Sequence, residues 1–444
     1  MKGDDMTKTF AFNSTFTKFV SLSVLGTLGA VGTILVDTFF ISQKLGALGL
    51  AALNIALPIY GILNGLGLMF GIGGATCYSI YRAQQKDRQA NRSYTTALGL
   101  ALISGLVIWL AGLFLSRQIS YFLGADHETI ALCQPYLKVI LCFGPWFILN
   151  HVFISFIRND GNAHLPMCAM LVGNIANIVL DYLFMYPFDM GIFGSALATG
   201  LAPILGILTS SIYYWTKQFH FHLDRFHIPL IPKITSLGFT AFINEFSSGI
   251  VILVFNILIL KVAGNEGVAA YGIVANYALI ILAVFTGISQ GVQPLISSAY
   301  GLREYSYTKR LYHSAVLVGT CFGIIVFILF FVLASPFAMV FNSSHDATLQ
   351  QLAIHGMRLY FIGFMMSGYN IITSVFFSAT ERARLSSFIS VTRGLFGIII
   401  IAIIMTLLFK LDGIWLAFPV TEGVTAMMVF FFIHRYPIYP IIDK

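Results

Sequence analysis

Charge is scarce in this chain. Of its 444 residues 10% are charged, 25 Lys and Arg against 18 Asp and Glu. A soluble surface carries about a quarter or more of its positions as charge, so this chain cannot stay dispersed in water. Cysteine is nearly as rare: Cys77, Cys133, Cys142, Cys168 and Cys321 are odd in number and make no CxxC pair. That excludes a disulfide framework and a zinc ribbon, leaving five small apolar side chains. A nucleophile elbow, a P-loop and a zincin pair after His127-Glu128 are all missing. Serine hydrolysis, ATP-driven pumping and zinc proteolysis are therefore unsupported, and no enzyme is expected. The net charge of +7 forms no basic block with interleaved aromatics, so no nucleic-acid partner is expected either. Residues 1–15 contain no apolar core of signal-peptide type, so the first span is expected to remain as a helix.

What the chain has is apolar length. Hydrophobic residues make up 58%. Polar breaks leave twelve apolar runs, expected as helices over 15–41, 48–82, 93–115, 132–157, 165–187, 191–216, 234–262, 268–299, 311–334, 351–378, 387–409 and 412–434. Each is long enough to cross a bilayer. The even-numbered breaks and both termini collect 19 Lys and Arg, against 6 on the other side. Both termini are thereby expected in the cytoplasm of a multi-pass plasma-membrane protein.

The longest break, Lys217 to Lys233, falls midway, and patterns recur across it. Gly46 to Ala52 matches Gly264 to Ala270, and Gly191-Ile192-Phe193 matches Gly413-Ile414-Trp415, at offsets of 218 and 222. The expected fold is all-α. Twelve transmembrane helices form two six-helix lobes, related by a pseudo-two-fold along the membrane normal because each repeat has an even number of spans. The lobes are expected over 1–217 and 234–444, with 218–233 as a cytoplasmic linker. In that linker His220-x-His222-x-Asp224-x-x-His227 reads as surface histidines or as a metal cluster, the former favoured for want of partner cysteines.

Four acids lie well inside apolar runs: Asp37, Asp181, Glu245 and Glu422. An ionised carboxylate near the bilayer centre costs about 3 kcal/mol on insertion scales, so each needs a partner, a proton or a water-filled cavity. Lys and Arg are expected too close to the span ends to serve as partners. A protonated acid satisfied by a neighbouring helix is one reading, and a site for a cation or an exchangeable proton is the other. Asn177 and Asp181 are four apart and share a helix face with Asn174, a polar stripe that should face the bundle interior. Amide oxygens beside a carboxylate suit a hard cation such as Na+, and the carboxylate alone suits a proton. Glu245 lies at the start of the seventh span beside Asn244, Ser247 and Ser248. Asn276 and Gln290 in the eighth are spaced to share a face.

These residues resemble the multidrug and toxic compound extrusion (MATE) transporters over about 15–435. The resemblance rests on Val36 to Ile41 with Leu45-Gly46, on Gly291 to Ile296 with Tyr300-Gly301, on Asn177 to Asp181 and on Gly194 to Thr199. It implies efflux of organic cations driven by entry of H+ or Na+, with no cofactor, by a monomer in the lipid bilayer. It also implies a cation site at Asp37, Asn177, Asp181 and Thr199, the last reached by resemblance alone, and a second-lobe role for Glu245; Asn276 and Gln290, from their shared face, are further substrate or coupling candidates in that lobe. The chain departs from the family pattern at Leu22-Ser23, where many members have proline, and at Gly238-Phe239-Thr240, where many have Gly-x-Pro. Tyr369-Asn370 stands where one branch has a tenth-span carboxylate. A flippase for lipid-linked precursors is the alternative, and it calls for a cavity rich in Arg and Lys. A polytopic membrane enzyme is a more distant one.

Overall fold

A computed structural model describes residues 2–215, 219–342 and 346–436, with side chains from Ser14 onward except Ala47. Lys217, assigned above to a basic break, lies outside them. The described residues are helical, with no strand among them: α1 (Lys2–Ala83), α2 (Asp87–Phe122), α3 (Ile130–Cys142), α4 (Gly144–Asn159), α5 (His164–Met185), α6 (Gly191–Trp215), α7 (Ile231–Gly301), α8 (Tyr305–Val332), α9 (Ala334–Phe341), α10 (Ala347–Tyr360), α11 (Phe364–Ala379), α12 (Ala383–Gly394) and α13 (Phe396–Arg435). The longest helices are interrupted by single residues with positive φ. Gly46 (φ 62°, ψ −150°) divides α1 into two spans, Gly264 (φ 65°, ψ −160°) divides α7, and Lys410 (φ 53°, ψ −124°) divides α13. The conformation at Gly46 and Gly264 is open to residues without a Cβ, which is why glycine stands at both. Nine apolar helices are long enough to cross a membrane among the described residues, ten with α3 and α4 as one span bent by 45°, and dividing α7 at Gly264 and α13 at Lys410 brings them to twelve.

The positive-φ residues carry the repeat further than the sequence does. Gly46 pairs with Gly264 and Gln85 with Arg303, both 218 apart, and Gly161 with Glu381 at 220. The backbone turns the same way at matched places although most residue identities have changed.

The chain forms two compact units, Met1–Phe246 and Ser247–Lys444. The start of the seventh span, through Phe246, therefore packs within the first unit. Gly73 and Gly238 permit this approach. A Cβ at Gly238 would lie 1.8 Å from the Met69 carbonyl oxygen, and one at Gly73 would lie 2.0 Å from that of Ile234. The core of the second unit gathers Phe255, Tyr271, Phe285, Phe330, Phe361 and Trp415. Outward faces are apolar instead of polar, as at Leu102, Ile103, Leu106 and Val107 on α2. Such faces are stable against lipid, where helices alone satisfy their own backbone.

Residues 219–227 lie on the first unit as an extended strap that ends in a short 3-10 turn, Ile228–Leu230. Phe221 is fully buried among Tyr78, Tyr94, Phe156 and Tyr213. The backbone N–H groups of His222, Asp224 and His227 donate to Asn91, Thr95 and Thr96, at 2.9, 2.8 and 3.1 Å. Asp160 accepts from Tyr78 Oη (2.5 Å), Tyr213 Oη (3.1 Å) and His220 N–H (2.9 Å). The strap's histidines thus follow an extended backbone, and no group of three metal-ligating side chains occurs among the described residues. Elsewhere in this unit Lys44 lies 2.7 Å from Asp189 at the break between α5 and α6, holding that carboxyl below its ordinary pKa.

Candidate functional site

The first unit brings three spans to one buried polar point. The first span supplies Asp37, α5 supplies Asn177 and Asp181, and α6 supplies Ser195 and Thr199. Asp37, Asn177, Asp181 and Ser195 are buried, Asp181 and Ser195 completely. Ser195 Oγ donates to Asp37 Oδ1 at 2.8 Å. Asn177 Nδ2 reaches Asp181 Oδ2 at 3.2 Å and Thr199 Oγ1 at 3.3 Å. The carboxyls of Asp37 and Asp181 lie within hydrogen-bonding reach of each other. Tyr60, from the second span, pairs with Tyr136 of α3 at 2.8 Å between hydroxyls.

Four sequence-named residues, Asp37, Asn177, Asp181 and Thr199, are therefore together. Ser195, Tyr60 and Tyr136 were missed. Ser195 carried a usable signal, since it stands four residues before Thr199 on the same face of α6. The tyrosines carried none, being ordinary members of apolar helices.

The arrangement is incomplete in a specific way. Asp181 Oδ1 is buried and has no hydrogen-bond donor among the described residues. Two carboxylates face each other with amide and hydroxyl groups around them and no Lys or Arg among those contacts. In a low-dielectric site such a pair is stable only with a proton shared between them or a cation held by both. The donors are all oxygen or amide, as a hard monovalent cation prefers.

Of the other candidates, Glu245 is half-buried on α7 in the first unit, where a Cβ on Gly61 would approach its carbonyl oxygen to 3.1 Å. Asn276 and Gln290 are half-buried on the eighth span, in the second unit.

One expectation is overturned. Arg393 is not at a span end: it lies inside the eleventh span with its side chain 12% exposed, and its Nε donates to Glu422 Oε1 at 2.7 Å. Asn370 Nδ2 donates to Glu422 Oε2 at 2.6 Å and to the Glu422 carbonyl at 2.9 Å. Glu422 thus has a basic partner within the membrane. The eleventh span begins at Ala383, four residues before the apolar run does, which carries Arg393 inward.

Comparison with known proteins agrees with this picture. The MatE family description matches the sequence in two stretches, residues 23–183 and 240–403. Multidrug export protein MepA of Staphylococcus saprophyticus is 26% identical over 431 residues, covering 96% of this chain and 94% of that protein. MepA of Staphylococcus aureus is 28% identical over 413 residues, covering 91% and 89%. Among solved structures, a multidrug resistance MATE family transporter of the MOP superfamily in an outward-facing conformation aligns with a TM-score of 0.89. It is 21% identical and covers 96% of this chain and 95% of that one.

Proposed function

Because the chain belongs to the MatE family, we propose that it is a secondary active multidrug exporter. It expels organic cations in exchange for H+ or Na+ by alternating access of its two six-helix repeats, as a plasma-membrane monomer with both termini in the cytoplasm. The carrying observation is the buried pair Asp37 and Asp181 with its undonated Asp181 Oδ1. Asp37 and Asp181 hold the coupling ion, and Asn177, Thr199 and Ser195 complete its oxygen shell. Binding removes the repulsion between the carboxylates and release restores it, so occupancy biases the helices that carry them. Glu245 acts by charge on the substrate, with Asn276 and Gln290 as neutral polar groups on the substrate path. The lipid-precursor reading is not favoured: Arg393 is neutralised by Glu422, so it does not supply the basic cavity a pyrophosphate needs.

The test is ion-gradient-driven efflux by the purified chain in proteoliposomes. Asp37→Asn and Asp181→Asn should each abolish it while leaving folding intact, because a neutral isostere removes the exchangeable charge and little volume. Normal efflux by both variants would sink the proposal.

A further inference from the structure

We propose that the strap over 219–227, with the turn that closes it, is a membrane-docking element that seats an anionic phospholipid of the adjoining leaflet where it crosses α2. The export reading assigns this surface nothing, and the inference takes from it only that the leaflet is the cytoplasmic one.

The strap crosses α2 where that helix passes from protein contact to lipid contact. The N–H groups of Asp224 and His227 donate to Thr95 and Thr96. The Phe226 ring then covers Gly99, where a Cβ would lie 2.6 Å from it. Gly99 is followed at helical spacing by Leu102, Ile103, Leu106 and Val107, so it shares their face. Those four side chains are exposed and form the lipid-facing stripe of α2. Phe226 therefore caps the stripe at its basic end.

On either side of Phe226 the strap and its turn present more hydrocarbon: Leu223 is 72% exposed and Ile228 69%. Single exposed apolar residues are ordinary on a protein surface. Three within six residues, continuous with a lipid-facing helix stripe, carry the apolar band of the first unit onto the strap.

Charge at the same place has one dominant sign. Lys86, Arg88 and Arg92 precede the apolar part of α2, and Arg225 comes from the strap. Asp224 meets two of them and is shared, with Arg88 Nε and Arg92 Nε both 3.8 Å from its Oδ2. One carboxylate between two guanidiniums leaves positive charge uncompensated, and Arg92 Nε is buried without a hydrogen-bond acceptor among the described residues. Asp87, the other acid nearby, pairs with Arg82 at 3.4 Å. Guanidinium forks suit phosphate oxygens. Basic side chains at the end of a span, beside exposed hydrocarbon, fit a ligand that offers phosphate and acyl chain together. A soluble phosphate would satisfy the arginines and leave Leu223 and Ile228 in water. A phospholipid covers both.

Trypsin reads the strap at Arg225. The full chain is placed in nanodiscs of phosphatidylcholine alone, or of an equal mixture with phosphatidylglycerol. Cleavage is timed at Arg225 and at Arg303, an exposed residue of the second unit. The anionic mixture should slow cutting at Arg225 at least about tenfold, at about fivefold for each basic side chain held at an anionic leaflet. Cutting at Arg303 should stay within about twofold on the same scale. Leu223→Ser combined with Ile228→Ser should lose the protection, because the hydrocarbon seat is gone. If that variant fails to reconstitute, Arg88→Gln should lose about fivefold of it. Equal cleavage of the wild type in both discs, or equal slowing at Arg225 and Arg303, overturns the proposal. Protection by glycerol 3-phosphate added to phosphatidylcholine discs also overturns it, in favour of a soluble phosphate. No transport is measured, so none of these outcomes bears on the export reading.

Discussion

The two carboxylates of the first-unit site fix how this transporter should respond to voltage. Asp37 and Asp181 face each other with neutral Asn177, Ser195 and Thr199 around them, so a fully neutralised site holds two monovalent ions. If both ions enter while one monovalent organic cation leaves, each cycle carries one net positive charge inward. Moving that charge through 100 mV yields about 2.3 kcal/mol. With no ion gradient at all, an inside-negative potential of that size should sustain an outward concentration ratio of about fifty for the cation, at about 1.4 kcal/mol per decade. Passive leakage has the opposite sign, because an inside-negative potential pulls a free cation in. The assay uses right-side-out vesicles with equal H+ and Na+ on both faces, a potential set by potassium and valinomycin, and a fluorescent monovalent dye. Expulsion that grows with the inside-negative potential is expected. Dye movement indifferent to the sign and size of the potential would mean one-for-one exchange, and the two-charge reasoning would be refuted.

Two further outcomes follow from packing and hydrogen bonding in the first unit. Gly238→Ala places a methyl 1.8 Å from the Met69 carbonyl oxygen, so the helices must part; overpacking of this kind costs about 1–3 kcal/mol. Thermal unfolding in detergent should shift to lower temperature, and an unchanged melting curve would contradict the close approach. Asp160→Ala removes the acceptor shared by Tyr78, Tyr213 and the His220 N–H. With buried donors left unpaired at about 1–3 kcal/mol each, the strap should lift and trypsin should cut at Arg225 at least about tenfold faster. Cleavage at the wild-type rate would show that Asp160 does not hold the strap.

The spans were legible because an apolar run of bilayer length leaves a chain few other choices. Asp37, Asn177 and Asp181 were legible for the complementary reason. A carboxylate within such a run is costly, and the four-residue spacing of the second and third places both on one face. Tyr60 and Tyr136 were not, since a hydroxyl at the tip of an aromatic ring sits in an apolar span without notice, whereas Ser195 could have been read from its four-residue spacing to Thr199. Arg393 misled the reading because Arg382 and Arg384 precede it. All three look like the basic end of a span until the helix is seen to start at Ala383. The break at Leu395, between α12 and α13, could not be inferred from composition.

The paired turns of the repeat also record a history. A half-length ancestor acting as two identical copies would have carried its charged pair twice, and neither copy could change without the other. Once the copies were joined in one chain, a substitution could fall on one of them alone. Gly46 and Gly264 turn the backbone the same way in both halves, while Asp37 stands in the first and a buried Phe255 stands at the matching place in the second. If Asp37 and Asp181 carry the proposed coupling, duplication leaves the other half free to diversify while this one is held constant.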